Sequence, residues 1–151
     1  MTSVAVGTTV RPASSVDLDT LVTMAQHFVE QTEYRATVPS DAAHLRGVAE
    51  RLLEAGVVFV AESEEGVVGM LAGLVFPHYL TGIVTASETA WWVEPTARGT
   101  TTGRDLLRAF EAWAREHGAT RLELGSRDAR LDRFYTRLGY APVERVFAKE
   151  L

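Results

Sequence analysis

The chain has 151 residues, 46% of them hydrophobic and 23% charged, which suits one globular domain able to bury a core unaided. It contains no cysteine, so disulfides, thiolate metal sites and a cysteine nucleophile are excluded. A net charge of −5 argues against a broad electrostatic surface for nucleic acid.

All but one of the 15 basic residues are arginine, the exception being Lys149. The opening dozen residues have neither a basic start nor a long apolar run. The longest apolar stretch, 66–77, falls short of the ~20 residues that span a bilayer. The expectation is a cytoplasmic protein with no membrane partner.

Residues 1–8 carry no pattern and are expected to be loose. Val10, Arg11 and Pro12 form a short edge strand, since proline cannot donate to a central ladder. Ser14 and Ser15 offer a cap, and Leu18, Leu21, Val22, Ala25, Phe28 and Val29 recur at helical spacing over 16–32. Ser40 is expected to cap a second helix over 41–55, with Gly56 at its end.

The period then changes. Strands are predicted at 57–61 and 67–76, joined by the turn Glu64-Glu65-Gly66 as an antiparallel hairpin. A long strand at 83–93 follows a loop beginning at His78. A loop over 96–102 leads into a third helix at 103–117, apolar along Leu106, Leu107, Phe110, Trp113 and Ala114. A strand at 121–125, a fourth helix marked by Leu131, Phe134, Tyr135 and Leu138, and a final strand or pair over 140–151 complete the chain. The order β-α-α-β-β-β-α-β-α-β predicts one domain of α/β (α+β) class, a mixed sheet with helices on both faces.

The segment from Trp91 to Arg104 carries the most chemistry. A strand delivers the chain to Arg98-Gly99-Thr100-Thr101-Thr102-Gly103, and an amphipathic helix starts at once. Free N–H groups of a first helical turn, the helix dipole and two arginines make an anion cradle suited to phosphate or pyrophosphate. The loop is neither a P-loop nor a GxGxxG turn. The same residues also suit an ordinary strand-to-helix connection, and a phosphate-ligand module unrelated to CoA is a further reading.

This loop resembles the Arg/Gln-x-x-Gly-x-Gly/Ala acyl-CoA loop of the GCN5-related N-acetyltransferases. Four other segments resemble the same family: Val10-Arg11-Pro12-Ala13 leading to Asp17-Leu18, Phe59-Val60-Ala61-Glu62 with Gly66-Val67-Val68-Gly69, Phe134-Tyr135-Thr136-Arg137-Leu138-Gly139-Tyr140, and Glu144 to Leu151, which resembles its last strand. The resemblance covers nearly the whole chain, in family order. It departs from the pattern at Thr101, which replaces the middle glycine, and at Asp128, where the family often has asparagine near the cofactor.

The resemblance implies a splayed central sheet and acetyl-CoA as co-substrate, with an amine acceptor, either a small molecule or a peptide. The backbone of Trp91, Trp92 and Val93 would pair with the pantetheine, and Arg98, Gly99, Thr100, Thr101, Thr102, Gly103 and Arg104 would hold the pyrophosphate. Tyr135 matches the family's general acid at the departing sulfur, and Glu88 the acidic residue that serves as base, water relay or substrate anchor. Packing alone also explains Tyr135, Trp91 and Trp92, and a strand-end surface position explains Glu88. Tyr34 and Arg35 fall where the family commonly shapes the acceptor pocket, and His78 and Tyr79, in the loop before the long strand, are further candidates on the substrate side and alternative bases. No metal site is predicted, and a homodimer is compatible with the family. The reading is thus an N-acetyltransferase, with a non-catalytic acyl-CoA-binding or regulatory module as its alternative.

Overall fold

Val57, Val58, Phe59, Val60 and Ala61 are all buried, so this strand is covered on both faces. Val57, Phe59 and Ala61 join one apolar cluster, while Val58 and Val60 join another, as a period of two requires. The computed structural model describes residues 7–32, 34 and 41–151. Its elements are β1 (Thr9–Pro12), α1 (Leu18–Glu30), α2 (Ala42–Ala55), β2 (Val57–Ser63), β3 (Gly66–Pro77), β4 (Val84–Val93), α3 (Thr102–Glu116), β5 (Arg121–Glu123) and α4 (Ala129–Arg137).

The five strands form one sheet in the order β1-β2-β3-β4-β5, antiparallel except for the parallel β4–β5 pair. One face carries Leu21 and Met24 of α1 with Leu52 and Leu53 of α2 against Val58, Val60, Met70, Ala72 and Trp92. The other packs Leu106, Leu107, Phe110 and Ala114 of α3 against Phe59, Ala61, Leu71 and Ala86. The mixed α/β class, the element order through α4 and the helices on both faces are as the sequence predicts.

Arg11 fastens β1 to the entry of α1. Its guanidinium donates two bonds of 2.9 Å to the buried Asp17, and its Nε bonds Glu62 at 2.9 Å. Asp17 also accepts the Ser14 N–H at 2.9 Å, so the chain enters α1 through a 3-10 turn at Ser15–Asp17. These partners hold the Asp17 carboxyl below the usual range, the Arg11 guanidinium contributing most.

Three expectations need correction. Asp41, not Ser40, caps α2: its carboxylate accepts the Ala43 N–H at 2.9 Å, while Ser40 lies outside the described residues. Thr8 is not loose, because its hydroxyl meets that of Thr102 at 3.3 Å; residues 1–6 lie outside the described residues. No strand forms after α4. Residues 141–151 have no regular structure and are exposed throughout, although Val143, Val146, Phe147 and Leu151 are strand-like residues.

Candidate active site

The sheet opens where β4 leaves β5. Thr85, Ala86 and Ser87 pair with Arg121, Leu122 and Glu123, and pairing stops at Glu88. The Glu88 carboxylate instead accepts the Gly125 N–H at 3.1 Å. Beyond this point β4 remains paired with β3 alone, through Ala90, Trp91, Trp92 and Val93. A two-stranded wedge therefore opens between β4 and the β5–α4 connection, as the predicted splay requires.

A bulge sets which side chains face this wedge. Ala72 lies opposite Ala90 and Gly73 opposite Glu88, leaving Thr89 as an extra residue on β4. Directly opposed residues share a face. Gly73 faces Phe110 of α3, so Glu88 faces that way too, as does Trp91 opposite Leu71. In a regular strand Glu88 and Trp91, three residues apart, would point to opposite faces. The bulge places both on the side of α3 and α4.

Tyr135 of α4 meets them there. Its ring stacks on Trp91 at 6.1 Å with an interplanar angle of 17°, and its hydroxyl donates to the Gly125 carbonyl at 2.9 Å. Gly125 thus receives the phenol on its C=O and gives its N–H to Glu88. Burial raises the Glu88 carboxyl above its ordinary value, opposed by the Gly125 N–H and the Arg127 charge. Burial, chiefly, and then the Glu88, Asp128 and Asp132 charges push the Tyr135 phenol well up, so it stays protonated.

The loop before α3 is fastened by its own hydroxyls. One consistent donor chain runs from Thr8 to Thr102 (3.3 Å), from Thr102 to Thr100 (2.9 Å) and from Thr100 to the Ala97 carbonyl (2.6 Å). The Thr102 N–H is also taken up by Thr100 at 3.3 Å. The N–H groups of Thr101, Gly103 and Arg104 have no acceptor among the described residues. Thr101 has φ −79° and ψ −7°, ordinary helical values, so threonine replaces glycine there without backbone strain. Gly99, at φ +78°, is where the turn requires glycine. The geometry therefore offers an anion the backbone donors of Thr101, Gly103 and Arg104 at one edge of the wedge, a set that suits a pyrophosphate, while the Thr100 and Thr102 hydroxyls are taken up within the loop.

Arg98 turns away from this edge. Its guanidinium lies 4.6 Å from the Trp92 ring centre, and its Nε donates to the Val93 carbonyl at 2.9 Å. Trp92 is buried on the α1 face, near Phe28 and His27, with its indole N–H unpartnered among the described residues. Arg104 is exposed at the start of α3. Asp128 caps α4 through bonds of 2.9 Å from the Arg130 and Leu131 N–H groups. A carboxylate there satisfies a helix terminus, which explains an acid where the family often has asparagine.

Two residues of the site carried no sequence signal, Gly125 and Arg127. Arg127 spans the exit of the wedge, 5.0 Å from the Phe28 ring centre and 4.6 Å from that of Tyr34. Tyr34 is therefore near the site, while Arg35 lies outside the described residues. His78 and Tyr79 are not brought to Glu88. They stack on each other at 4.7 Å in the β3–β4 turn, and β4 runs roughly 13 Å from Val84 to Glu88 at ordinary strand rise.

The family model described as acetyltransferase (GNAT) family matches residues 21–140. The chain belongs to that family. Solved structures share the GNAT fold at low identity. An acetyltransferase from Trypanosoma brucei is 23% identical, covering 96% of this chain and 100% of its own, with a TM-score of 0.76. The aminoglycoside N-acetyltransferase AAC(6')-Iy in complex with CoA is 16% identical over 100% and 99%, with a TM-score of 0.79. A predicted acetyltransferase with acetyl-CoA from Clostridium acetobutylicum is 18% identical over 95% and 96%, with a TM-score of 0.76. No curated protein sequence matches this GNAT domain. Among its described residues, no helix is long and apolar enough to cross a membrane, and no cluster of side chains suits a metal ion.

Proposed function

We propose that this GNAT domain is an acetyl-CoA-dependent N-acetyltransferase in which an amine, of a small molecule or a peptide, attacks the thioester directly. The observation that carries this reading is the joining of Glu88 and Tyr135 through Gly125, where β4 and β5 part. Bound acetyl-CoA supplies the acetyl group already activated as a thioester. The N–H groups of Thr101, Gly103 and Arg104 would hold its pyrophosphate. The open edge of Trp91, Trp92 and Val93 would pair with its amides, and a backbone N–H of Trp92 or Val93 would polarise the acetyl carbonyl.

Glu88 takes the proton that an attacking ammonium must lose, directly or through water. An unperturbed carboxylate near pKa 4.3 is a feeble base for an amine near 10.4, and burial moves Glu88 in the useful direction. Tyr135 stays a donor. Its raised pKa makes full transfer to a departing thiolate more uphill than the ordinary phenol–thiol difference of about 10 against about 8.5. It therefore stabilises the sulfur by a hydrogen bond, for which its O–H turns from the Gly125 carbonyl to the departing thiolate. Phe28, Tyr34 and Arg127 form the wall that an acceptor would meet on its way to Glu88. Use of acetyl-CoA fits a cytoplasmic setting.

Calorimetric titration with acetyl-CoA, CoA and ATP tests the reading. Micromolar or tighter binding of both CoA species, with ATP silent, followed by thiol release with a panel of amines, is the expected result. Failure of both CoA species to bind overturns it.

A further inference from the structure

Arg127 puts a cation where the reacting amine must arrive. It is an exposed residue of the β5–α4 connection, its guanidinium carbon 4.6 Å from the Tyr34 ring centre and 5.0 Å from that of Phe28. The two rings stand 6.4 Å apart. On its other side lies the chemistry: burial raises the Glu88 carboxyl and the Tyr135 phenol, and the Arg127 charge opposes both shifts. One cation thus serves the aromatic wall and the Glu88–Tyr135 pair together.

The acids around it are turned to other donors. Asp128 accepts the Arg130 and Leu131 N–H groups, and Asp132 accepts the Ser126 hydroxyl. Glu94 meets His27 at 2.9 Å, and Glu88 takes the Gly125 N–H. Five N–H donors let a guanidinium keep partners within its own chain and still hold a carboxylate with two of them. The rings beside it shield part of the cation from water, which strengthens its pull on an anion.

This arrangement sorts amines by what else they carry. An ammonium is drawn to the Glu88 carboxylate, but a second cation in the same molecule would meet Arg127 and be repelled. A carboxylate in that place is attracted instead, so a zwitterion satisfies both ends of the site. Held at two points, its amine is also oriented for attack.

We propose that the acceptor is a small amine carrying a carboxylate a few bonds away, as a free amino acid does, and that Arg127 selects it by binding that carboxylate. The inference rests on the N-acetyltransferase reading above and narrows its acceptor.

Amino acids paired with their own α-carboxamides test it, with cadaverine as a diamine and dipeptides as the peptide arm. Thiol release at saturating acetyl-CoA gives kcat/KM, and calorimetry on the CoA-saturated protein gives affinity without turnover. An amine beside a carboxylate is the more basic, so chemistry alone favours the carboxamide, and a preference for the acid reports recognition. The expected result is kcat/KM about tenfold or more higher for the acid, carried by KM and repeated in the calorimetric order, with cadaverine poorest. Arg127→Gln should level each pair, and Arg127→Lys, which keeps the charge but not the two-pronged geometry, should retain part of the preference. The position is exposed, so both variants keep the fold, as circular dichroism would verify. Any effect of the lost charge on Glu88 falls on both members of a pair and leaves their ratio alone. Equal or better use of carboxamides or cadaverine overturns the proposal and leaves the transferase reading standing. So does turnover confined to peptides, or an acid preference that survives in Arg127→Gln. Failure of acetyl-CoA to bind, or to release thiol with any amine, overturns the transferase reading and this inference with it.

Discussion

Gly125 sets two side chains at once, through the N–H it gives Glu88 and the carbonyl it offers Tyr135. Tyr135→Phe removes the phenol donor while keeping the stack on Trp91. It should lower kcat about 100-fold, leave the calorimetric Kd for acetyl-CoA unchanged, and cost about 1 kcal/mol of stability for the lost hydrogen bond. Glu88→Gln keeps an oxygen for the Gly125 N–H but removes the charge. Because the folded pKa of Glu88 is raised, the folded state binds the proton more tightly than the unfolded chain does, and ionised Glu88 opposes folding at neutral pH. The variant should therefore hold or raise Tm at pH 7, while kcat falls about 100-fold. The acid limb of the wild-type rate profile, above the ordinary glutamate range, should vanish in the variant. Tyr135 and Glu88 came forward as candidates through the family resemblance, each inside a patterned element. Gly125 and Arg127 did not, since a glycine and an arginine in a connection show no periodicity. Nor could spacing reveal that the hydroxyls of Thr100 and Thr102 bind each other instead of facing a ligand.

At the scale of the elements, the apolar pattern located α1, α3, β2, β3 and β4 closely, because each buries a regular face, and α2, β1 and β5, which bury no residue fully, were placed from their flanking turn and cap signals and partial patterns. The bulge in β4 escaped, since an added Thr89 between Glu88 and Ala90 leaves the local polar–apolar texture unchanged and adjacent Trp91 and Trp92 hide the phase. Its partner position is tight: a Cβ on Gly73 would lie 2.4 Å from the Phe110 ring and 2.7 Å from the Ser87 carbonyl. Phe110 is fully buried and has no room to retreat. Gly73→Ala should cost about 2–3 kcal/mol by denaturant midpoint, as overpacking does. The Arg11–Asp17 pair ties β1 to α1, and Asp17→Asn should cost about 2 kcal/mol at neutral pH, less than a fully buried pair because Arg11 is partly exposed. Since the folded pKa of Asp17 is lowered, the pair's contribution is full above the unfolded value near 3.9 and is lost as pH falls through the folded value. Thermal melts of the two proteins should thus converge in acid.

For the whole molecule, the sequence pattern supported a single mixed sheet covered on both faces, and the family match over residues 21–140 agrees with that reading. The tail was the element it misplaced. Its residues have strand character, but a strand needs a neighbour, and propensity does not say whose edge supplies one. The parting of β4 from β5 has a corresponding consequence for the other side of the sheet. Pairing that ends at Ser87 leaves the upper half of β4 with backbone groups that have no strand to meet. A peptide-like ligand lying there completes the ladder, so occupancy becomes part of the fold's own free energy. At 100 times its Kd, such a ligand adds about 2.7 kcal/mol to the stability of the folded state. The level of the acyl donor would then set how long the chain survives heat or proteolysis as well as how fast it turns over.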